Sequence, residues 1–429
     1  MLKKLLANTF LKVFSYNGVV VFGKIIASFI VSKVSAIYLG PSGYALVGNL
    51  KNLLQGVLGI TANGFESGII KYVAEHKTNN HKLKQVVSAV IFLSFILSLI
   101  IGLFLVLFSK SLSIFLLKDI TYAYVFRLLA VLLPLISFNF LIIYIANGLQ
   151  KLRLYTSLIT VANLLNAILT FFLVFYFNLK GALIASIIVP ALSFLIGLWF
   201  KDVRRLVSGL FVNVRQVSLV FIKSISVYIA MATYSTVLIS VTYLLIRNKI
   251  IVDIDTNSAG LWEAMNKIST FYMMFFSSLF TLYLLPQLAI NKTVSGYKNI
   301  MKTYFKYLIP ITIFVFVGLL IFRLFIIKIF LTDSFAAIEQ YFYLQLIGDF
   351  FKIIAFSLAY QFHAKKMVTF YFITDAILYL SFYFMSLQFL NHFNLQGVFY
   401  AYIISTLLYL ISVSFFLFFN NAKYLEENV

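Results

Sequence analysis

Three lysines stand within long apolar stretches of the sequence, where a charged side chain is costly: Lys24, Lys51 and Lys267. A charge at the centre of a membrane-spanning helix costs about 2.5–3.5 kcal/mol on insertion scales, so each lysine is a candidate for function. Lys51 and Lys267 occupy corresponding places in the two halves of the chain. Two facing lysines repel each other unless an anion lies between them, and an ammonium group binds phosphate well as a point charge. The lysines therefore predict a cavity for a phosphorylated ligand.

Polar side chains share helix faces with these lysines. Asn17 lies on the face of Lys24. On the helix that carries Lys51, one side holds Asn49, Asn63 and Glu66, and Lys51 stands at the margin of that side, so whether it would contact a ligand directly stays open. Around Lys267 the polar residues form a stripe about 120° wide, at 100° per residue, which predicts a water-lined helix face. The stripe comprises Glu263, Asn266, Lys267, Thr270, Ser277, Ser278 and Thr281. Glu263 and Lys267, at i and i+4, are expected to neutralise each other. Small and amide residues also serve as packing contacts between membrane helices, and that alternative stays open.

Four acids within the apolar stretches are candidates for coupling transport to an ion: Glu66, Glu263, Asp349 and Asp375. The driving force would be a proton gradient, a sodium gradient or the membrane potential. Asp349 shares a face with Lys352, and a structural pair between the two is the favoured interpretation, whereas Asp375 has no evident partner. No cofactor or metal is predicted, since the chain has no cysteine and its four histidines show no ligand spacing.

The composition predicts a polytopic integral membrane protein. The chain has 429 residues, of which 62% are hydrophobic and 11% charged, with a mean hydropathy of +1.00. This is too little polar surface for a soluble domain. The formal net charge of +21 points to anionic membrane leaflets rather than nucleic acid, because the basic residues lie mostly between apolar runs. The sequence shows no phosphate-binding loop and no segment large enough for a soluble catalytic domain, so no enzyme activity is predicted.

The apolar runs number twelve, each about the 20 residues that a membrane crossing needs. They cover approximately residues 11–39, 43–70, 85–108, 122–148, 155–177, 180–200, 218–245, 257–286, 303–330, 339–362, 367–390 and 396–420. Alternate gaps hold 21 basic residues on one side against six on the other, Arg247 being counted among the six. Positive residues favour the cytoplasmic side, which predicts that both termini are cytoplasmic.

A short motif recurs near the end of each half of the chain, as Asn178-Leu179-Lys180-Gly181 and Asn394-Leu395-Gln396-Gly397. We call the separation between Asn178 and Asn394 the repeat offset; Tyr155 and Tyr371 keep it. We therefore predict two domains, 1–210 and 211–429, each a bundle of six helices related by an axis along the membrane normal. Two parallel bundles around a central cavity are typical of alternating-access transporters. Coincidence in a background rich in Phe, Leu and Ile is the alternative.

The segment 39–87 resembles the start of Wzx-type flippases for lipid-linked oligosaccharides, in the multidrug/oligosaccharidyl-lipid/polysaccharide (MOP) exporter superfamily. The similar features are Gly40-Pro41-x-Gly43, Asn49-Leu50-Lys51, Asn63-Gly64 and Lys71-Tyr72-Val73-Ala74. The resemblance implies an all-α, MATE-like fold that flips an undecaprenyl-pyrophosphate-linked glycan, such as an O-antigen or enterobacterial common antigen unit. Flipping would run from the cytoplasmic to the periplasmic leaflet of a bacterial inner membrane.

The same resemblance implies a role for the lysines. By position, Lys24, Lys51 and Lys267 match basic cavity residues of the related peptidoglycan lipid flippases, where arginine is common. Lysine lacks the fork of arginine, so bidentate phosphate recognition is not implied. The implied partners are the polyprenyl-pyrophosphate glycan, membrane lipids and other polysaccharide-assembly membrane proteins.

Two further functions remain as alternatives. A cation-coupled multidrug exporter of the same fold typically has an acid in span 1, whereas this span has Lys24 and no acid. A membrane-embedded glycan polymerase or ligase usually needs a large periplasmic loop, and the sequence shows none.

Overall fold

The chain folds into helices, as expected for long apolar runs, because a helix satisfies its backbone hydrogen bonds within one segment. The computed structural model describes residues 2–204, 219–291 and 293–426, and no strand occurs within them. The α-helices are α1 (Leu2–Thr61), α2 (Glu66–His76), α3 (Asn80–Leu107), α4 (Ser109–Leu117), α5 (Ala123–Gly148), α6 (Leu152–Gly197), α7 (Leu219–Asp253), α8 (Thr256–Leu279), α9 (Leu285–Ile290), α10 (Val294–Ile321), α11 (Arg323–Phe330), α12 (Phe342–Ala364) and α13 (Val368–Glu426). Short 3₁₀ helices cover Asn63–Phe65, Ile120–Tyr122 and Asp333–Tyr341, and a π-helical turn covers Phe280–Leu284.

Three of the long helices contain a sharp break. Gly40 (φ 60°) interrupts α1, Asn178 (φ 48°) interrupts α6 and Asn394 (φ 50°) interrupts α13. Glycine and asparagine are the residues that most readily adopt positive φ. Pro41 then starts the second segment of α1, where the missing N–H costs little. Each of these helices therefore consists of two segments.

The breaks account for the number of membrane-crossing segments. Eight helices in the described part of the chain are long and apolar enough to cross a membrane. Three of them are the broken helices, so the eight contain eleven segments, and α8 with its polar stripe is a twelfth candidate. The all-α polytopic class predicted from the sequence is confirmed.

The internal repeat recurs in backbone geometry. Gln150 and Lys366, which are separated by the repeat offset, both have positive φ, of 58° and 55°. In the first turn the N–H groups of residues 149, 150 and 151 donate to the carbonyls of residues 145, 147 and 146. The second turn repeats these bonds at the repeat offset, from 365, 366 and 367 to 361, 363 and 362. The shared offset therefore reflects one local structure that occurs twice.

The recurring spacing of the Asn-Leu-x-Gly motif also has a structural reason. Gly181 packs against the backbone of its own helical hairpin, so that a Cβ there would lie 1.8 Å from the carbonyl oxygen of Leu173. Gly397 packs in the same way, with a Cβ position 2.2 Å from the carbonyl oxygen of Phe389. Only glycine permits this approach at either turn.

The chain divides into two compact units. The first contains residues 1–39 and 46–240, and the second contains 40–45 and 241–429, apart from the residues not described. The predicted domain boundary between residues 210 and 211 lies outside the described residues. The first unit has a core around Phe65, Val87 and Leu141, and the second has a core around Phe276, Leu308 and Ile353.

Interhelical hydrogen bonds join α1, α3 and α5 in the first unit. Ser137 Oγ donates to Thr61 Oγ1 at 2.9 Å, and Ser98 Oγ donates to Ser137 Oγ at 3.2 Å. Ser94 Oγ also donates to the carbonyl oxygen of Thr61. Small hydroxyl residues at such positions hold membrane helices together where the hydrophobic effect does not.

Candidate functional site

A cavity of about 640 Å³ lies within the first unit. Three charged residues line it: Lys24 and Lys51 from the two segments of α1, and Glu66 from the first position of α2. Lys24 and Glu66 are exposed to the cavity, and Lys51 is half-buried. The break at Gly40 is what lets one continuous helix contribute a lysine from each of its two segments.

Helices α5 and α6 line the same cavity with neutral polar side chains rather than charged ones. The lining residues from these two helices include Asn139, Tyr144, Tyr155, Asn163, Asn166, Thr170, Ser186 and Ser193. On the first segment of α6, Asn163, Asn166 and Thr170 are separated by three and four positions, which puts these three side chains on one helix face. Asn166 Oδ1 accepts a hydrogen bond from Thr170 Oγ1 at 3.2 Å. The Nδ2 group of Asn163 is buried without a hydrogen-bond partner.

The described lining of this cavity has a net positive formal charge. Two lysines and one glutamate give it a charge of +1. Lys24 and Glu66 attract each other across the cavity.

Two predicted cavity residues on this side serve packing instead. Asn49 is fully buried, and its Nδ2 group donates to the carbonyl oxygen of Leu116 at 2.8 Å. Asn63 accepts a hydrogen bond from the hydroxyl of Tyr144 at 2.9 Å and so lies behind a residue of the cavity wall. The side chain of Asn17 lies outside the described residues. The helical-wheel argument failed for Asn49 because it places residues on a face without saying what covers that face.

The predicted stripe on α8 belongs to the second unit, and part of it is engaged in local contacts. Glu263 forms an ion pair with Arg247 of α7, rather than the expected pair with Lys267. Lys267 is half-buried, with its Nζ 5.4 Å from the ring centroid of Phe271. Asn266 Nδ2 donates to the carbonyl oxygen of Trp262, whereas Thr270 and Ser277 are exposed.

Arg247 lies in a helix and not in a loop, so the prediction that it belongs to a loop is wrong. Helix α7 continues to Asp253, and Arg247 is fully buried within it. Its guanidinium lies 5.5 Å from the ring centroid of Trp262, next to the ion pair with Glu263. The apolar run ends near residue 245, and hydropathy gives no signal that the helix extends past it.

Asp349 lies at the centre of a buried polar network in the second unit. Its Oδ2 accepts hydrogen bonds from Ser269 Oγ at 2.7 Å, from Gln345 Nε2 at 3.0 Å and from the Tyr272 hydroxyl. Its Oδ1 accepts one from the Tyr402 hydroxyl at 2.6 Å. The expected pairing with Lys352 is therefore replaced by four neutral donors.

Lys352 and the remaining predicted acid, Asp375, also belong to the second unit. The Nζ of Lys352 lies 5.5 Å from the ring centroids of Phe356 and Tyr402. Asp375, in α13, is buried. Within the described residues, no group of three histidine or acidic side chains could hold a metal ion.

The sequence matches a known protein family over more than half of its length. Residues 10–292 match the family described as "Polysaccharide biosynthesis protein". The chain belongs to the polysaccharide biosynthesis protein family. It is 26% identical over 356 residues to the Lipid III flippase of Escherichia coli (strain K12), covering 82% of this chain and 84% of the relative. The Lipid III flippase of Shigella flexneri gives the same values.

Solved structures support the fold of this family member. An inward-facing multidrug resistance MATE family transporter of the MOP superfamily aligns with a TM-score of 0.77 at 14% identity. The alignment covers 94% of this chain and 96% of that one. The relatives are flippases and a transporter rather than enzymes, in line with the prediction that this protein is not an enzyme.

Proposed function

We propose that this protein translocates an undecaprenyl-pyrophosphate-linked oligosaccharide across the bacterial inner membrane, from the cytoplasmic to the periplasmic leaflet. The product would supply the synthesis of O-antigen or a related surface polysaccharide, together with other polysaccharide-assembly membrane proteins. Membership of the polysaccharide biosynthesis protein family and the similarity to Lipid III flippases support this class of substrate. The observation that carries the proposal is the cavity of the first unit, which combines two lysines with a neutral polar wall.

Each part of such a substrate has a chemical counterpart in the cavity. The pyrophosphate would lie near Lys24 and Lys51, because an ammonium pairs with phosphate without needing a fixed orientation. Sugar hydroxyls would exchange hydrogen bonds with the amides and hydroxyls of α5 and α6 that line the cavity. The polyprenyl chain would stay in lipid, so only the head group needs to leave water. Alternating access would then carry the head group across.

The orientation in the membrane rests on the charge asymmetry of the sequence, and the direction of transport is the one that the resemblance to lipid-linked oligosaccharide flippases implies. The 21 basic residues in one set of loops would face the cytoplasm with both termini, against five on the other side once the buried Arg247 is set aside. Of the four candidate coupling acids, Glu66 lines the cavity, whereas Glu263 is paired with Arg247 and Asp349 is surrounded by neutral donors. We therefore favour Glu66 over Glu263, Asp349 and Asp375 as the group that couples transport to a proton gradient, a sodium gradient or the membrane potential.

The alternative of a multidrug exporter fits the cavity less well. Cationic amphiphiles would meet two ammonium groups and one carboxylate in the described lining. Like charges within a few ångströms raise the free energy of the bound state, more so at low dielectric.

Deletion of the gene, followed by mass spectrometry of lipid-linked intermediates, tests the proposal. We expect an undecaprenyl-pyrophosphate glycan to accumulate on the cytoplasmic side and surface glycan to be lost. An unchanged lipid pool together with altered dye efflux would support the exporter instead.

A charge reversal in the cavity gives a sharper test of the lysines. Lys51→Glu and Lys24→Glu are expected to abolish glycan display at normal membrane abundance. Each substitution replaces a charged hydrogen bond to the pyrophosphate, worth about 1.5–3 kcal/mol, with repulsion between two negative groups. We therefore expect the translocation activity to fall more than tenfold. Lys110→Glu is the matched control, since Lys110 is an exposed residue of α4 in the same unit that does not line this cavity. Full glycan display in both cavity variants would exclude the pyrophosphate role.

A further inference from the structure

A second cavity, of about 710 Å³, lies within the second unit and opens to its surface. We call it the outer cleft and define its polar residues as Arg323, Glu339, Gln340, Tyr343 and Gln396. Arg323 starts α11, Glu339 and Gln340 lie on the 3₁₀ helix Asp333–Tyr341, and Tyr343 lies on α12. Gln396 follows the break at Asn394 in α13. Four separate elements thus contribute the polar residues of one cleft.

The 3₁₀ helix explains why its polar residues point into the cleft. A 3₁₀ helix has three residues per turn, so positions i and i+3 share a face. Phe335 and Ile338 are fully buried and anchor one face in the unit. Four of the remaining positions line the cleft: Ala336, Ala337, Glu339 and Gln340.

Arg323 and Glu339 hold each other in a fixed geometry. Arg323 Nε donates to Glu339 Oε1 at 3.0 Å, and the Nη2 group lies 2.8 Å from the same oxygen. Arg323 Nη1 also donates to the carbonyl oxygen of Leu320 at 2.9 Å. The pair makes the described lining of the cleft formally neutral. It keeps two planar polar groups at fixed orientation, with further hydrogen-bonding capacity on both.

Two carboxamides and an aromatic ring complete the cleft. Gln340 is exposed, and the Nε2 group of Gln396 lies 3.5 Å from the Tyr343 hydroxyl, to which it donates. Tyr343 is 45% exposed and lines the cleft. A tyrosine ring presents an apolar face together with a polar hydroxyl.

We propose that the outer cleft binds neutral carbohydrate. Carboxamides, a carboxylate and a guanidinium in fixed orientation can each form paired hydrogen bonds with neighbouring sugar hydroxyls, and the Tyr343 ring can stack on the apolar face of a sugar. The neutral lining gives no net attraction for a phosphate head group. In the proposed orientation the cleft faces the periplasm, and the proposal rests on the proposed function only for the source of the sugar, the translocated glycan.

Saturation-transfer difference NMR on the full-length protein in deuterated detergent tests the proposal. The probes are maltose, lactose, cellobiose and N,N′-diacetylchitobiose, each as the free sugar. We expect saturation transfer to at least one of them. Tyr343→Ala and Gln340→Ala should weaken this binding roughly 3- to 10-fold, the loss expected for an aromatic or hydrogen-bonding contact.

Matched variants remove a tyrosine and a glutamine elsewhere in the second unit, and so control for effects of losing either side chain outside the cleft. Tyr307→Ala removes an exposed tyrosine of α10, and Gln287→Ala removes an exposed glutamine of α9, both in the second unit and neither lining the outer cleft. These variants should bind the sugar as the unaltered protein does. Lys51→Glu should also retain sugar binding while losing translocation, which separates the failure of one proposal from the failure of the other.

Three results would overturn the inference. The first is absence of saturation transfer to all four sugars. The second is undiminished binding by a Tyr343→Ala variant whose melting temperature shows that it is folded. The third is transfer to glycerol phosphate, used as a fifth probe, in place of the sugars, which would assign the cleft to a phosphate head group.

Discussion

Asp349 shows how a buried carboxyl group can be satisfied by neutral hydrogen-bond donors. Its two carboxyl oxygens accept four hydrogen bonds from neutral side chains contributed by α8, α12 and α13. Each hydrogen bond between buried groups contributes about 0.5–1.5 kcal/mol to stability. The network therefore connects three helices through one residue, and its removal should affect stability before it affects any ligand.

Asp349→Asn tests that interpretation. Asparagine keeps the shape of the side chain, but its NH₂ group would face hydroxyl and amide groups that donate to Asp349. Buried donors would then lack acceptors, at a cost of about 1–3 kcal/mol in the free energy of unfolding. We expect a lower melting temperature in detergent, measured by intrinsic fluorescence. The control is Asp333→Asn, at an exposed position of the 3₁₀ helix, where the change should stay within about 0.5 kcal/mol. Equal melting temperatures for the two variants would contradict the structural role of the network.

At the scale of the element, the helix breaks determine where polar residues lie. Asn178 and Asn394 reverse the backbone of α6 and α13, and each is followed three residues later by a glycine that contacts the preceding segment. On α6 the two resulting segments both contribute to the cavity wall, through residues such as Asn163 and Ser186. The turn thus brings together hydroxyl and amide groups that a single straight helix would separate.

Alanine at these glycines should destabilise both units. In Gly181→Ala and Gly397→Ala the new methyl group would lie within about 2 Å of a backbone oxygen, so the hairpin must shift, at a cost of about 1–3 kcal/mol. Gly318→Ala is the matched control, because nothing lies within 4 Å of its Cβ position inside α10. There the better helix propensity of alanine should raise stability by up to about 1 kcal/mol. Thermal unfolding of the three variants should show opposite signs; a common sign would refute the packing argument.

The elements were largely predictable from the sequence, because their signals are local. Apolar runs, the Asn-Leu-x-Gly repeat and the Gly40-Pro41 break all depend on residues close together in the chain. The predicted second span, drawn to residue 70, instead ends at Thr61, and Glu66 opens a separate helix. Hydropathy averaged over about 20 residues does not resolve the three-residue 3₁₀ helix at Asn63–Phe65.

The contacts at the candidate site were less predictable, because they join distant segments. The sequence identified Lys24, Lys51 and Glu66, which the cavity brings together. The ion pair of Arg247 with Glu263 depends on how α7 packs against α8, which no helical wheel contains. The wall on α6 did leave a signal, since Asn163, Asn166 and Thr170 recur at helical spacing. That signal is weak alone, because amides and hydroxyls are common packing residues in membrane helices.

At the scale of the whole molecule, fold and chemistry carry separate information. The MATE family transporter shares the architecture at only 14% identity, so the fold does not identify the ligand. What differs between transporters of one fold is the polarity of the cavity and of the surface that each unit presents. In this protein the first unit concentrates lysines and neutral hydrogen-bonding groups in one cavity, whereas the outer cleft of the second unit is formally neutral.

The proposed orientation can be measured directly because the chain contains no cysteine, so one introduced thiol is labelled without background. His81→Cys and Lys298→Cys replace exposed residues of the basic loops, and Thr121→Cys and Ser334→Cys replace exposed residues of the opposite set. In spheroplasts a membrane-impermeant maleimide should label only Thr121→Cys and Ser334→Cys, and should label all four after permeabilisation. Each unit supplies one variant of each kind, so parallel repeats require the two pairs to agree. Labelling of His81→Cys or Lys298→Cys in intact spheroplasts would reverse the orientation, and disagreement between the pairs would refute the parallel arrangement.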